Sequence, residues 1–302
     1  MDIRVEKLFF QYDQEEEALP ALQDVSFSLR SGECVALLGP SGSGKSTLAQ
    51  HLNGLLKPDR GHIWVDGRLL RWSPSELKAL RRRVGLVFQF PEAQIFEASV
   101  FAEVAFAARQ WGIPAEEIPG RVEKALAAVG LDAEGFGDRN PLKLSGGEAR
   151  LISVASLLVV DPDWLILDEP TLGLDLAHWR CIRDLIEQRT KASRSVLLIT
   201  HDFNLVLQAC PRTLVINEGR ITYDGPTSDL LINYDLGVEF GLAPPEVIVL
   251  WNALKTASEQ LGETGPFPNP DPEELTSWVA QRPAEHRNRL CSVLQQHLRS
   301  RS

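Results

Sequence analysis

The run Gly39-Pro40-Ser41-Gly42-Ser43-Gly44-Lys45-Ser46-Thr47 constrains this chain more than any other stretch. It has the form G-x-x-x-x-G-K-[ST], a loop that binds the phosphates of a nucleotide. The form has meaning only between a strand and a helix, and both are legible here. Upstream, Cys34-Val35-Ala36-Leu37-Leu38 is a short apolar run suited to a buried strand, and downstream Ser46 to Leu52 reads as a helix start. Glycines let backbone N–H groups turn inward and approach an anion closely. The helix N-terminus adds unpaired donors and the positive end of a dipole. In such a loop Lys45 reaches the β- and γ-phosphates, and the Ser46 hydroxyl can ligate Mg²⁺. The plainer alternative is a glycine-rich turn between a strand and a helix, and the full motif in its required context weighs against it.

At 302 residues the chain can bury one large core, or one domain with a smaller appendage. No apolar stretch approaches the roughly 20 residues that span a bilayer. The start, Met1 to Lys7, alternates apolar and charged residues like a strand and lacks the apolar centre of a signal peptide. The chain is therefore expected to stay where it is made. Its net charge of −10, from 41 acidic and 31 basic residues, argues against a general nucleic-acid binder. Cys34, Cys181, Cys210 and Cys291 form no C-x-x-C pair. They read as reduced, mostly buried thiols, neither metal ligands nor a disulfide framework.

The segment before Gly32 reads as strands, Ile3 to Phe10 and Val25 to Leu29, with an acidic solvated turn at Asp13 to Glu17. Ile63-Trp64-Val65 ends at Asp66-Gly67, a hairpin signal. Ser75 to Arg83 reads as a short helix ending in the basic cluster Arg81-Arg82-Arg83, and Val84 to Phe88 as a buried strand. From about residue 90 to 160 helical periodicity dominates, at Val100 to Gln110, Arg121 to Val129 and Glu148 to Val159. Trp164 to Leu167 and Val196 to Ile199 are continuous apolar runs separated by a helix at about Leu176 to Arg189. That pattern predicts parallel strands buried on both faces. Leu214-Val215-Ile216, Gly219 and Ile221-Thr222-Tyr223 read as a closing hairpin. Beyond about Gly237, helical patterns at Pro245 to Leu261 and Pro272 to Leu298 flank a Gly/Pro/Asn-rich stretch, Thr264 to Pro272.

Asp168-Glu169 directly follows the strand run Trp164 to Leu167. Carboxylates at the exposed end of a buried parallel strand lie in the crevice where α/β sheets bind ligands. Asp168 suits Mg²⁺ and Glu169 suits a general base for an attacking water. A strand ending in a polar turn before Pro170 is the competing reading, and the glycine loop upstream weighs against it.

Leu144-Ser145-Gly146-Gly147-Glu148, taken with Asp168-Glu169 and Thr200-His201-Asp202, resembles the ATP-binding cassette (ABC) ATPases over about residues 1–230. The resemblance implies an α/β P-loop NTPase fold. It would comprise an ABC-type nucleotide-binding domain with an antiparallel β subdomain, a helical subdomain at about 90–160, and a small C-terminal helical appendage. The expected boundaries are 1–236 for the ATPase domain and 237–302 for the extension, a candidate dimerisation region. By the same resemblance Ser145 and Gly147 close on the γ-phosphate held by an opposite subunit. Gln89 contacts Mg²⁺ and the attacking water, His201 contacts the γ-phosphate and steadies the catalytic acid, and Asp175 belongs to the loop that crosses the dimer. Tyr12 matches the aromatic that stacks on adenine, with Phe10 nearby as a rival core aromatic. Three departures stand out, one of them Gly173-Leu174 in the loop that crosses the dimer. Glu148 lies where many members have Gln, and Leu151 where many have Arg.

Phe88-Gln89-Phe90-Pro91-Glu92-Ala93-Gln94-Ile95-Phe96 resembles the corresponding loop in ATPases of energy-coupling factor (ECF) transporters, which import vitamins or transition-metal ions. The tail, with Leu242-Ala243-Pro244-Pro245 and Asp271-Pro272-Glu273-Glu274-Leu275, agrees. This implies ATP and Mg²⁺ as cofactors and a second ABC ATPase, identical or different, as partner. It also implies an integral membrane coupling protein, a substrate-binding membrane protein, and a peripheral location on the cytoplasmic face of the cell membrane. Glu92 and Phe96 are candidates to receive a helix of the coupling protein. Arg81-Arg82-Arg83 is either a solvated helix face or a headgroup contact. Alternatives stay open: the ATPase of another ABC importer, a soluble ABC ATPase outside transport, or a catalytically weak partner in a heterodimer.

Overall fold

The computed structural model of the chain describes residues 1–12, 19–89, 95–232, 246–262, 268 and 272–299. Two sheets and a set of helices form a unit from Met1 to Thr227, and residues from Ser228 onward form a second unit.

The first sheet is antiparallel, in the order β2-β1-β4-β5. It is built from β1 (Ile3–Phe10), β2 (Leu22–Leu29), β4 (Arg60–Val65) and β5 (Arg68–Leu69). Alternation sets its inner face: Ile3, Val5 and Leu8 of β1 meet Leu22, Val25, Phe27 and Leu29 of β2 in the core. The Asp66-Gly67 signal does join β4 to β5 as a hairpin.

The second sheet runs β10-β9-β3-β8-β7-β6. Its members are β3 (Cys34–Leu38), β6 (Val84–Val87), β7 (Trp164–Asp168), β8 (Ser195–Ile199), β9 (Arg212–Asn217) and β10 (Arg220–Pro226). The pairs β3–β8, β3–β9, β6–β7 and β7–β8 are parallel, and β10 closes the edge antiparallel to β9. Every residue of β3, β6, β7 and β8 is buried, as continuous apolar runs require when both faces are covered. One core joins the two sheets, with Trp164, Leu37 and Leu197 packed in the same cluster as Leu8 and Leu22.

Helix α1 (Lys45–Leu52) leaves the glycine loop, and α2 (Pro74–Arg83) starts with Ser73 accepting from Glu76 N. Between β6 and β7 lie α3 (Val100–Gln110), α4 (Ile118–Ala128), α5 (Ala133–Phe136) and α6 (Gly146–Leu158), and α3, α4 and α6 pack on one another. Helix α7 (Leu176–Lys191) joins β7 to β8, and α8 (Phe203–Ala209) follows β8.

The second unit holds helices at Glu246–Gln260, Pro272–Ala280 and Ala284–Arg299. The pattern from Pro272 to Leu298 is thus two helices. The break falls at Pro283, whose ring cannot sit inside a helix and whose carbonyl instead accepts from Arg287 N at 3.0 Å. Trp251, Leu254 and Leu275 pack together, as do Ala257, Trp278 and Leu290. The turn read at Asp13 to Glu17, the residues Leu242 to Pro245, Asp271 and the 236/237 boundary lie outside the described residues. No described helix is long and apolar enough to cross a membrane.

Candidate functional site

The glycine loop runs from the end of β3 to α1, at the carboxyl end of the parallel strands. Two of its glycines have no substitute. Gly39 has φ +150, and a Cβ there would lie 2.0 Å from the Ile216 carbonyl oxygen; at Gly44, φ +107, it would lie 2.5 Å from that of Ala21. The loop is thus pressed against its neighbours on one side. Lys45 Nζ donates to the carbonyls of Gly39 and Pro40, both at 2.8 Å. Burial lowers the Lys45 pKa, while the charges of Glu169 and Asp168 oppose that shift. Ser43 Oγ is buried with no hydrogen-bond partner among the described residues.

The parallel register brings β7 beside this loop through β8. Ser46 Oγ donates to Asp168 Oδ2 at 2.7 Å, across 122 residues of sequence. Burial raises the Asp168 pKa; the Ser46 hydrogen bond counters this and the Glu169 charge adds to it. Glu169 follows in the left-handed region, φ +50. Its Oε2 accepts from Thr200 Oγ1 at 3.2 Å and His201 N at 3.3 Å. Its Oε1 is buried without a hydrogen bond among the described residues and lies 3.6 Å from His201 Nε2. Hence Ser46, Asp168, Glu169 and His201 form one cluster with the loop.

These features fit a Mg²⁺–nucleotide. Ser46 Oγ and Asp168 Oδ2, 2.7 Å apart, are hard oxygens of the kind Mg²⁺ takes. Ser43 Oγ and Glu169 Oε1 are buried polar atoms with no hydrogen-bond partner among the described residues, open to an incoming donor or ligand.

Tyr12 is 59 % exposed, its ring edge against Phe10 at 5.0 Å and its hydroxyl 3.0 Å from Thr47 Oγ1. Phe10 instead packs against the core, which separates the two aromatics by environment.

Ser145 caps α6 in a reciprocal arrangement with Glu148. Ser145 Oγ accepts from Glu148 N at 3.2 Å, and Glu148 Oε2 accepts from Ser145 N and Oγ, each at 2.8 Å. Those hydrogen bonds hold the Glu148 carboxyl below its ordinary pKa. A Cβ on Gly147 would lie 3.3 Å from Leu174 Cδ2, so the start of α6 abuts the segment before Asp175. Asp175 is exposed and caps α7, accepting from His178 N at 2.9 Å. Ser145, Gly147 and Asp175 are therefore grouped by the contact between α6 and the start of α7.

Gln89 is exposed at the end of β6, and its carbonyl accepts from Arg150 Nη2 at 3.0 Å. Phe96 is 60 % exposed, with its ring edge on Phe106. Glu92 lies outside the described residues. Arg83 of the basic cluster is ion-paired with Asp66 and Asp163. Cys34 Sγ and Cys210 Sγ, read as reduced buried thiols, lie 3.3 Å apart in the core.

Two contributors escaped the sequence reading. One is the Thr200 hydroxyl on Glu169. The other is Arg150, which is buried in α6; its only sequence signal is a charge inside the apolar run Ala149 to Ala155.

A phosphate cradle after the first parallel strand, facing a carboxylate pair at the end of another, defines a P-loop nucleoside triphosphatase. Comparison with known proteins narrows the class. The model of the ABC transporter family matches residues 22–172. The energy-coupling factor transporter ATP-binding protein EcfA2 of Clostridium tetani (strain Massachusetts / E88) is 36 % identical over 265 residues, 87 % of this chain and 92 % of the relative. Among solved structures, cbiO1 from Clostridium perfringens, described as part of the ABC transporter complex cbiONQ, superimposes with a TM-score of 0.69 at 34 % identity. That match covers 82 % of this chain and 97 % of cbiO1. A dimeric post-hydrolysis state of the ATP-binding cassette MJ0796, bound to ADP and Pi, gives a TM-score of 0.68 at 27 % identity over 74 % of this chain and 98 % of that one. The chain belongs to the ABC transporter family, as an ATP-binding subunit whose ATP hydrolysis is coupled to transport.

Proposed function

We propose that the chain powers an ECF-type importer of a vitamin or transition-metal ion from the cytoplasmic face of the cell membrane. One observation carries the reading: the likeness to EcfA2 and to cbiO1 extends over most of both chains, beyond the family match at 22–172.

Lys45 and the loop N–H groups of Gly42, Ser43 and Gly44 bind the β- and γ-phosphates, Lys45 exchanging its two carbonyl partners for phosphate oxygens. Thr47 continues that cradle and Tyr12 supports the adenine. Ser46, Asp168 and Gln89 would hold Mg²⁺, which when bound supplies charge neutralisation at the phosphates. Glu169 takes a proton from the water whose oxygen bonds to the γ-phosphorus. The bond from that phosphorus to the bridging oxygen breaks, and ADP and phosphate leave. His201, 3.6 Å from Glu169 Oε1, steadies that carboxylate and faces the γ-phosphate.

Ser145, Gly147 and Asp175 complete the site of an opposite subunit, so each chain carries two half-sites. Two ATPase chains close head to tail on ATP because the γ-phosphates bind the closed state better than the open one. Hydrolysis removes that difference, the pair opens, and the membrane coupling protein and substrate-binding protein move with it. The second unit helps pair the two ATPases. Nucleic acid has no place in this cycle.

The test is to trap the complex. Tagged Glu169→Gln protein with ATP and Mg²⁺ is purified from detergent-solubilised membranes, and its companions are identified. A second ATPase with small membrane proteins is expected. Membrane subunits of another importer type would overturn the ECF assignment, and ribosomes or DNA the transport role. Rapid ATP turnover by this variant would remove Glu169 as the base.

A further inference from the structure

We infer that Arg150 is a positioning residue for hydrolysis: its buried guanidinium ties the backbone of Gln89 to that of Glu169, so the place of one sets the place of the other. Arg150 is 6 % exposed. Nη1 donates to the Glu169 carbonyl at 2.9 Å and to the Leu172 carbonyl at 2.6 Å, and Nη2 donates to the Gln89 carbonyl at 3.0 Å. One side chain of α6 thereby holds three backbone segments: the end of β6, the residue after β7, and the turn leading to Asp175.

What this does to Glu169 follows from the backbone. Glu169 sits at φ +50, a left-handed conformation that a non-glycine residue keeps only where its surroundings hold it there. Glu169 N donates to the Ile199 carbonyl at 2.8 Å, and the Glu169 carbonyl takes the Arg150 bond. Both peptide groups are pinned, so the Cα–Cβ direction is set before Thr200 and His201 N hold the carboxylate. Leu172 N returns to the Glu169 carbonyl at 3.3 Å, so the arginine clamps the first and last carbonyls of one turn. A planar fork with five N–H donors can bond all three acceptors at once.

Arg189 supplies the contrast. It is equally buried, at 6 % exposure, yet its hydrogen bond runs to the Pro162 carbonyl at 2.6 Å, before β7 begins. It secures the fold without touching Gln89 or Glu169.

The inference rests on Glu169 as the base and on the segment after Gln89 as the part that meets the membrane partner. Displacement of the Gln89 backbone by that partner would pull on Arg150 and thereby turn the Glu169 carboxylate, which couples hydrolysis to the partner. The experiment measures ATP titrations on the assembled transporter in lipid, and on the ATPase without its membrane subunits, for Arg150→Ala, Arg150→Gln and Arg189→Ala. A displaced base costs on the order of 10–100-fold in rate. The kcat of both Arg150 variants is expected to fall by that factor while the KM for ATP stays near the parent value, and stimulation by the membrane subunits is expected to vanish. Arg189→Ala is expected to lose thermal stability and keep kcat and stimulation. Should Arg150→Ala fail to fold, Arg150→Gln carries the test. A parent-like kcat, a change confined to KM, retained stimulation, or an equal loss in Arg189→Ala would overturn the inference. Failure of the base assignment registers separately, as rapid turnover by Glu169→Gln.

Discussion

The Ser145 hydroxyl gives its hydrogen to the Glu148 carboxylate, Oγ to Oε2 at 2.8 Å, and accepts the Glu148 N–H in return at 3.2 Å. The hydroxyl that the proposed mechanism offers to a γ-phosphate is thus already committed. A carboxylate also stands at the helix N-terminus, where a second anion would arrive, and like charges there repel.

Glu148→Gln is therefore expected to favour ATP-driven closure. An amide keeps the reciprocal cap but removes the charge. In a Glu169→Gln background, the ATP concentration giving half-maximal dimer in size-exclusion chromatography should fall about 3–10-fold, the equivalent of roughly 1 kcal/mol. An unchanged midpoint would show that Glu148 does not oppose closure.

Asp168 links the site to stability. Burial raises its pKa in the fold, so its contribution is full below the unfolded value of about 3.9 and is lost as pH rises through the folded value. Asp168→Asn should melt at a higher temperature than the parent at about pH 7, and the gap should close as pH falls toward about 4. Added Mg²⁺ and ATP should raise the parent's melting temperature more than the variant's. A variant less stable than the parent at neutral pH would contradict the buried-charge argument.

Legibility followed sequence separation. The Gly39–Thr47 cradle was readable because its donors, its glycines and its strand and helix are contiguous. Asp168 and Glu169 were readable because an apolar strand points at them. Ser145 and Glu148 form an S-x-x-E pattern whose cap was there to be read, although Glu148 stood out first as a departure. Arg150 had no such signal. Its partners lie 19, 22 and 61 residues away, and only the parallel register of β6 and β7 brings them together. The same holds for Cys34 and Cys210, 176 residues apart and 3.3 Å between sulfurs. The tail break at Pro283 follows a local rule that the helical periodicity on either side obscured.

Two loop glycines should respond differently to alanine. At Gly39 the added Cβ meets the Ile216 carbonyl oxygen at 2.0 Å, and β3 and β9 must separate to admit it. At Gly42, φ +78, a Cβ meets nothing within 4 Å and the cost is backbone strain alone, about 1–2 kcal/mol. Chemical denaturation should therefore rank Gly39→Ala as markedly less stable than Gly42→Ala. Equal losses would mean that the loop is not held against β9 in solution.

Tyr12 offers the cleanest separation of a ligand contact from a packing contact. Its ring is exposed, so little of it serves the core, and its hydroxyl bonds Thr47 Oγ1 at 3.0 Å. Stacking of a base on an aromatic ring contributes about 1–3 kcal/mol. Tyr12→Ala should weaken ATP binding about 5–100-fold by titration calorimetry, and GTP binding to a similar degree, because every base presents a π-face. Tyr12→Phe keeps the ring and loses only the hydroxyl, so its affinity should stay near the parent's. Equal weakening in Tyr12→Phe would assign the effect to the Thr47 hydrogen bond and remove the stacking role.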